Sequence, residues 1–538
     1  MDNEAIAKDL ARTLDILRSQ RASWDGQWEN LAEFTEPTLV GSFSGDGNRE
    51  PTYEDNDDKI YDTTAREAGK KFAALMTSLL TSPKSKWIFL ASSDDVLRRD
   101  RETQLFMDTL EDVIFEIINN PNSTFHRANY QFMRGLGFQG ASCLYLDSSR
   151  NGPVFNSRPL GEIFIREDAD GNVDTVFRRF WLTARQAFSK FDESKLPDTI
   201  HRAYEKRNTE DRFQFFQAVM PRKDADPYRP DSLGYPIASY YVAMDGPTLL
   251  EESGYRTMPY VVSRWDKAPG NVWPTSPALD CFPAIKSINE VAKDLLIQAQ
   301  LTVSPPVLAH DDDVVDDDIV PGGIVFGGMS AEGRRLVDRF PTGDLRAGDT
   351  TLEHLGRQIF DAFYISDLQL FAEASSRMTA AEVYERAEER ANVTVPILLC
   401  QFSQYHGPMT ERIIDILAER ELIPPMPRML AEAGGEYAMQ FQPPLVKMIQ
   451  SSEWSTLSRL LEVATVFGNA TQDPSVFDNF DVDRAIQGLA KRSPMPAAFL
   501  ASEEERAAKR QARAEQQQIQ TAIQAGPSVA AVAKATGE

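Results

Sequence analysis

The chain has 538 residues, 42% hydrophobic and 26% charged, values ordinary for folded protein and a length sufficient for several layers or domains with cores of their own. Its 81 acids against 57 bases leave a net charge of -24, which excludes tight non-specific gripping of nucleic acid, since counterion release needs a basic surface. Cys143, Cys281 and Cys400 are too far apart for a CxxC pair or a disulfide framework, so a reducing compartment is expected; no apolar run approaches the ~20 residues of a membrane span, and MDNEAIAKDL lacks the pattern of a signal peptide.

Residues 4–36 carry Ile6, Leu10, Leu14, Leu17, Trp24, Trp28, Leu31 and Phe34 at helical spacing and stop at Pro37. A Gly-, Ser- and Asp-rich loop over 40–58 follows. Asp62 or Thr63 then caps a second helix with the stripe Ala65, Ala68, Phe72, Leu75 and Leu79. SPKSKWIFL reads as extended, 97–119 as a third helix and 122–136 as a fourth. From 141 to 263 the period falls to two, and SCLYLD, GEIFIRED, VDTVFRRFWL, RFQFFQAVM, IASYYVAMD and MPYVVSRW read as strands. Asp170-Gly171-Asn172 and Asp245-Gly246 are hairpin-turn residues, and TARQAFSKF (183–191) is a short capped helix. The class is α+β, mainly α.

Ser276-Pro277 opens a helical pattern running to about Leu301, with regular helix beginning at Pro283. Residues 304–343 break it with Pro305-Pro306, an aspartate run and PGGIVFGG; 344–366 are helical again, and 366–376 are weakly patterned. From Arg377 to Leu422 small or apolar residues recur at Tyr384, Ala387, Ala391, Val395, Leu398, Phe402, Tyr405, Met409, Ile413 and Ile416, one face of a helix. Thr379 and Glu382 form a capping-box pair at its start. Unbroken, this helix would be ~65 Å long at 1.5 Å per residue, so kinks or a break are expected at Pro396 and at Gly407-Pro408. Further helices are expected over 445–467 and 482–491, before a polar tail.

No catalytic constellation emerges. DADGNVD (168–174) has alternating acids but Gly171 is fourth and Arg179 twelfth, against the sixth-place glycine and twelfth-place glutamate of a calcium loop, so a hairpin turn is the better reading. DDDVVDDD (311–318) is a charge run without coordination geometry. GGIVFGG (322–328) lacks the Lys-Ser/Thr of a phosphate loop and reads as a glycine-bounded strand. His126, His201, His310, His354 and His406 have no ligand spacing. Cys143 among Ala141, Leu144 and Leu146 reads as a buried strand thiol rather than a nucleophile. No cofactor, metal or catalytic residue is assigned.

Several separated stretches share one resemblance: RASWDGQWENLAEFTEP, KIYDTTAREAGKKFAALMTSLLTSPKSKWIFL, GLGFQGASCLYLD, PYVVSRW with SPALDCFPAIKSINEVAKDLL, and SRMTAAEVYERAEER. In this order and spacing, over roughly residues 10–425, the chain resembles the portal, or head-to-tail connector, proteins of short-tailed, podovirus-like bacteriophages. The resemblance implies a ring, typically dodecameric, through which double-stranded DNA is packaged and ejected. It implies a wing (1–275 with 378–425), stem helices (276–303 and 344–364), a clip (304–343), a channel loop (365–377), a helical crown (426–500) and a polar tail (501–538). Expected DNA-channel residues are then Lys286, Lys293, Arg346, Arg357, Asp367, Gln369 and Arg377. Clip residues expected to dock partners are Asp311, Asp312, Asp313, Asp316, Arg334 and Arg335.

The partners so implied are further copies of the chain, the terminase large subunit, a tail adaptor, capsid and scaffold proteins, and DNA bound without sequence specificity; no membrane is involved. The place is the virion, with the host cytoplasm during assembly. Two other readings are a different ring-forming head-tail adaptor, disfavoured by length and by the helix-excursion-helix order, and a cysteine or metal hydrolase of the cell envelope, which would need a clustered site.

Overall fold

The computed structural model describes residues 3–43, 59–374, 398–432 and 438–440, with a few between 508 and 516; within these spans 84–85, 92–93, 95, 98–99, 150–151, 207, 227, 230, 305–306, 311–322, 331–332 and 335–344 are not described. They fall into two units, Met1–Trp87 with Glu116–Leu422, and Ile88–Phe115 with Ile423–Glu538.

In the larger unit, helix α1 (Asn3–Thr35) runs until Pro37 removes the next donor. Its apolar stripe is split between two destinations. Leu10, Leu14 and Leu17 pack on Phe164, Phe177 and Phe216 of a sheet, while Trp28 enters a second core with Phe43 and Trp273. Between them Arg21, 1% exposed, donates to the carbonyls of Leu160 (2.9 Å), Gly161 (3.0 Å) and Ile163, and pairs with Asp25 at 2.8 Å. Its guanidinium lies 3.8 Å from the Phe164 ring centroid. A charge this deep is tolerable because both terminal nitrogens have carbonyl acceptors, the Asp25 carboxylate stands beside it and a ring lies beneath it.

Helix α2 (Thr64–Leu80) starts where Asp62 Oδ1 accepts the Thr64 N–H at 2.8 Å. Helix α3 (Arg101–Asn119), which belongs to the smaller unit as far as Phe115, begins at Asp100, whose carboxylate accepts the Thr103 N–H at 2.9 Å. Helix α4 (Phe125–Gln139) packs on α2 and ends at Gly140, φ 77°. That left-handed residue has to be glycine twice over: a Cβ would stand 2.2 Å from the Thr275 carbonyl oxygen.

In the smaller unit strand β1 (Phe89–Ala91) is paired antiparallel with a distant segment, Phe89 opposite Gln440. The Leu90 N–H donates to buried Glu111 at 2.8 Å.

Two antiparallel sheets occupy 141–264. Strands β2 (Ala141–Ser149) and β3 (Gly152–Arg158) form a hairpin. Then come β4 (Ile163–Glu167), β5 (Val173–Thr183), β6 (Arg212–Pro221), β7 (Ile237–Ala243), β8 (Thr248–Tyr255) and β9 (Tyr260–Arg264). Their orders are β3-β2-β9 and β4-β5-β6-β7-β8. DADGNVD is the β4–β5 turn: Asp168 Oδ1 accepts the N–H groups of Asp170 (2.9 Å) and Asn172 (2.8 Å), with Gly171 at φ 84°. Helix α5 (Ala184–Lys190) carries a full capping box between Thr183 and Gln186. Strands β3 and β8, and helix α6 (Asp198–Glu205), are additions to the sequence reading. GPVFNSR and TLLEESGY lack clean alternation because each lies at a sheet edge, where one side need not be apolar.

Ser276 Oγ accepts the Leu279 N–H at 3.0 Å, opening one turn, Pro277–Asp280, before helix α7 (Phe282–Val303) with Pro283 in its first turn. Beyond it β10 (Val307–His310) and β11 (Ile324–Met329) pair in parallel, so PGGIVFGG does contain a strand, which runs through Gly327 and Gly328 to Met329 instead of stopping at them. Helix α8 (Leu345–Ala362) returns. The expectation of a loop over 365–377 is corrected: Ile365–Ala374 is helix α9. Tyr364, at φ 55°, turns the chain between the two helices and its carbonyl accepts the Leu368 N–H at 2.9 Å. Ile365 and Leu368 are buried, and that i,i+3 pair of apolar side chains gives the segment a reason to be helical.

The expected long helix is seen from Leu398 onward; residues 375–397, with Pro396, lie outside those described. Leu398, Phe402, Tyr405, Met409, Ile413 and Ile416 are all buried. The irregularity at Gly407-Pro408 takes the form of a π turn over Phe402–His406, directly before helix α10 (Gly407–Glu419). Pro408 has no N–H to give, and the widened turn before it accommodates the missing bond without breaking the rod. On the near side, Gln401 and Gln404 reach strand β9. Gln401 accepts from Ser263 Oγ (2.6 Å) and donates to the Arg264 carbonyl (3.2 Å), and Gln404 accepts the Arg264 N–H (3.0 Å). On the far side, Arg412 pairs with Asp415 at 2.7 Å over the Tyr255 ring. The smaller unit also holds helix α11 (Arg428–Glu432) and β12 (Ala438–Gln440), the partner of β1. The helices expected over 445–467 and 482–491 lie outside the described residues.

Candidate functional site

Helices α7 and α8, joined by the 304–344 excursion, pack against each other as a hairpin. Their approach is close at Gly348, where a Cβ would stand 2.5 Å from Leu295 Cδ2. The near half of the hairpin is held by side chains from earlier in the chain. Asn289, 4% exposed, accepts the N–H groups of Tyr61 (2.8 Å) and Asp62 (3.3 Å) through Oδ1 and donates to the Lys59 carbonyl (3.0 Å). One amide thereby fixes the strand of chain that enters α2. Phe363, fully buried past the end of α8, meets Phe72 and Phe138 edge-on with centroids 6.0 Å away in each case. Lys71 covers the Phe360 ring at 4.7 Å.

The other faces are open. On α7, Lys286, Glu290, Asp294, Leu296 and Ile297 are exposed; on α8, Arg346, Asp349, Glu353, Arg357 and Asp361 are. Both helices carry bases as well as acids, so neither presents a block of one sign.

The positions expected from sequence are distributed as follows. Lys286 is exposed with its ammonium 4.4 Å from the Phe282 ring, and Lys293 is half-buried 5.8 Å from Tyr61. Arg357 is paired with Glu353 at 3.4 Å, both well exposed. Arg346 and Gln369 are exposed, and Asp367 is half-buried in the first turn of α9. Arg334 is exposed in a turn where its N–H donates to Ser330 Oγ at 3.2 Å. Arg377, Asp311, Asp312, Asp313, Asp316 and Arg335 lie outside the described residues. The hairpin thus carries Lys286, Lys293, Arg346 and Arg357, with Asp367 and Gln369 on the helix that follows it. Sequence reasoning missed Asn289, whose only local signal is a polar residue on the apolar stripe of α7.

Burial pushes the Cys143 and Cys281 thiols up to about 12, so neither supplies a thiolate near neutrality. Among the described residues no three His, Cys, Asp or Glu side chains come together as a metal site, and no helix is long and apolar enough to cross a membrane.

The sequence profile of the family described as "Bacteriophage head to tail connecting protein" matches residues 7–500, and the chain belongs to that family. Among individual proteins it is similar to the "Probable portal protein" of Bordetella phage BPP-1, 26% identical over 93% of this chain and 90% of the relative. It is likewise similar to the "Portal protein" of Salmonella phage epsilon15, 23% identical over 100% of this chain and 96% of the relative. The mixed, mostly helical architecture agrees with that class, and neither relative is named for a catalysed reaction.

Proposed function

We propose that copies of this chain close into a ring of about twelve at one capsid vertex, and that the ring is a structural conduit for double-stranded DNA during packaging and ejection. The observation that carries this reading is the α7–α8 hairpin. Its base is locked by Asn289 and Phe363, yet Leu296, Ile297 and Val303 are 50%, 44% and 83% exposed, an apolar strip that a single chain leaves wet. Neighbouring copies related head-to-tail would cover it, and a heterologous interface that closes gives a ring.

In this reading residues 1–275 with 378–425 are the wing, 276–303 and 344–364 the stem, 304–343 the clip, 426–500 the crown and 501–538 the tail. Helix α9 and the residues up to 377 border the channel. Lys286, Lys293, Arg346, Arg357, Asp367, Gln369 and Arg377 line it. The clip, through Asp311, Asp312, Asp313, Asp316, Arg334 and Arg335, receives the terminase large subunit and later a tail adaptor; capsid and scaffold proteins surround the wing. The chain then resides in the virion, after assembly in the host cytoplasm.

Native mass spectrometry of purified protein, with end-on averaged electron micrographs, tests the ring. A closed annulus of about twelve copies with an open bore is expected; a monomer at every salt and protein concentration would sink the reading. The sliding wall has its own test. Replacing Asp349 and Asp361 by lysine would convert a balanced helix into a cationic one, and shorter packaged DNA is expected.

A further inference from the structure

The space between the two sheets of the larger unit contains a polar layer that the conduit reading does not use. Its inner part is saturated: the Tyr260 hydroxyl donates to Gln217 Oε1 at 2.7 Å, Gln217 Nε2 donates to Ser239 Oγ at 3.0 Å, and the Tyr145 and Tyr255 hydroxyls lie 3.2 Å apart. Beside it stand three cations from three different elements. Arg158 of β3 lies 5.2 Å from the Tyr145 ring centroid. Arg178 of β5 lies 4.7 Å from Phe180 and is neutralised by Glu162 at 2.8 Å. Lys190, at the end of α5, faces the same Phe180 ring at 5.1 Å, Phe191 at 5.3 Å and Tyr241 at 4.3 Å.

Among the described residues, only Arg178 of these three has a counter-charge in contact. The Arg158 Nε is buried without a hydrogen-bond partner. Lys190, although exposed as a residue, points its ammonium at rings and makes no ion pair among the described residues. The Tyr241 hydroxyl belongs to a side chain only 9% exposed, and it too has no hydrogen-bond partner among the described residues. The remaining carboxylates that act on this region, Glu251 opposite Tyr241 on β8 and Asp147 on β2, are both exposed to solvent and its screening. Like charges this close oppose one another, as Arg178 does both Lys190 and Arg158, and a group with several acceptor oxygens would offset that repulsion.

We propose that this wedge binds a small tetrahedral oxyanion of the phosphate and sulfate class, held by Arg158, Lys190 and the Tyr241 hydroxyl, with Arg178 adding charge from behind its pairing with Glu162. Three donors from three elements suit a tetrahedral anion, and two cations outside any contact ion pair among the described residues suit a doubly charged one. The electrostatics agree with the geometry. Burial, with Arg178 and then Arg158 contributing, pushes the Lys190 ammonium down to about 8, and burial beside Arg178 lowers Arg158 as well. A bound dianion would relieve both. The proposal does not rest on ring formation, since every group it names belongs to one chain.

Sulfate is the probe, because it does not titrate where Lys190 does. Isothermal titration of sodium sulfate into the full chain, against sodium chloride at matched ionic strength, is expected to show saturable binding to sulfate alone. Lys190→Gln and Arg158→Met should each weaken it by ~10-fold or more, as expected for a charged hydrogen bond. Wild-type affinity should fall between pH 7 and pH 9.5 as Lys190 loses its proton, and that fall should vanish in Lys190→Gln. Heats for sulfate that match chloride would overturn the proposal. So would a Lys190→Gln protein, whose exposed position makes it the safer variant to fold, that binds sulfate as tightly as wild type.

Discussion

Asn289 provides the sharpest test of how the hairpin is anchored. Replacing it by leucine keeps the volume and removes all three hydrogen bonds to Lys59, Tyr61 and Asp62. Each bond contributes ~1 kcal/mol net, and a fully buried orphan would cost more. Residues 59–62 are exposed or half-buried, so water can reach part of what is released. The expected loss is therefore about 1–3 kcal/mol. Asn289→Asp separates the contributions, since it retains the acceptor for both N–H groups but sets a carboxylate against the Lys59 carbonyl. Urea denaturation reads the total, and native-state hydrogen exchange at Tyr61 and Asp62 reads the local part. Both amides should exchange faster in Asn289→Leu and stay protected in Asn289→Asp. If exchange at these two amides is unchanged in the leucine variant, the side chain does not fix the entry to α2 and the reasoning fails.

His406 is buried in the π turn, its Nε2 3.2 Å from the Leu80 carbonyl, and burial pushes it down to about 4. An unfolded chain takes up this proton near 6.5 while the fold resists until about 4, so stability is full above the higher value and falls as pH drops between the two. The loss should be on the order of 3 kcal/mol, seen in urea midpoints at pH 7 and pH 4.5, and His406→Gln should flatten it. Gly140→Ala combines a left-handed φ with a Cβ 2.2 Å from the Thr275 carbonyl oxygen. It should destabilise by ~2 kcal/mol or more, visible as a lowered thermal midpoint, whereas alanine at open Gly26, which meets nothing within 4 Å, should not.

Much of this architecture is legible from local rules. The capping box at Thr183, the Ser276-Pro277 start and the DADGNVD turn each need only a few adjacent residues. The stripe from Leu398 to Ile416 is equally plain, because every one of its members is buried against the same unit. What escaped depends on residues far apart in the chain. Asn289 acts on a segment more than two hundred positions earlier, and no periodicity carries that. Ile365–Ala374 looked structureless because its helix is short and its turn relies on Tyr364 at φ 55°, a conformation that an aromatic residue does not advertise. The π turn is similar: Gly407-Pro408 marks an irregularity, but the contacts made on either side of it, Gln401 to β9 and Arg412 to Asp415 and the Tyr255 ring, are not announced by any local pattern.

The grip of Gln401 and Gln404 on β9 has a consequence for self-association. In the order β3-β2-β9 that strand is terminal, and an uncovered terminal strand is a template on which another molecule can polymerise. Here two glutamine amides imitate the missing neighbour, satisfying the N–H and C=O of Arg264, so the border is sealed by side chains instead of backbone. At Arg264 no further strand can add while both amides are in place, and a mutation at Gln401 or Gln404 would expose a sticky margin that invites fibrous clumping.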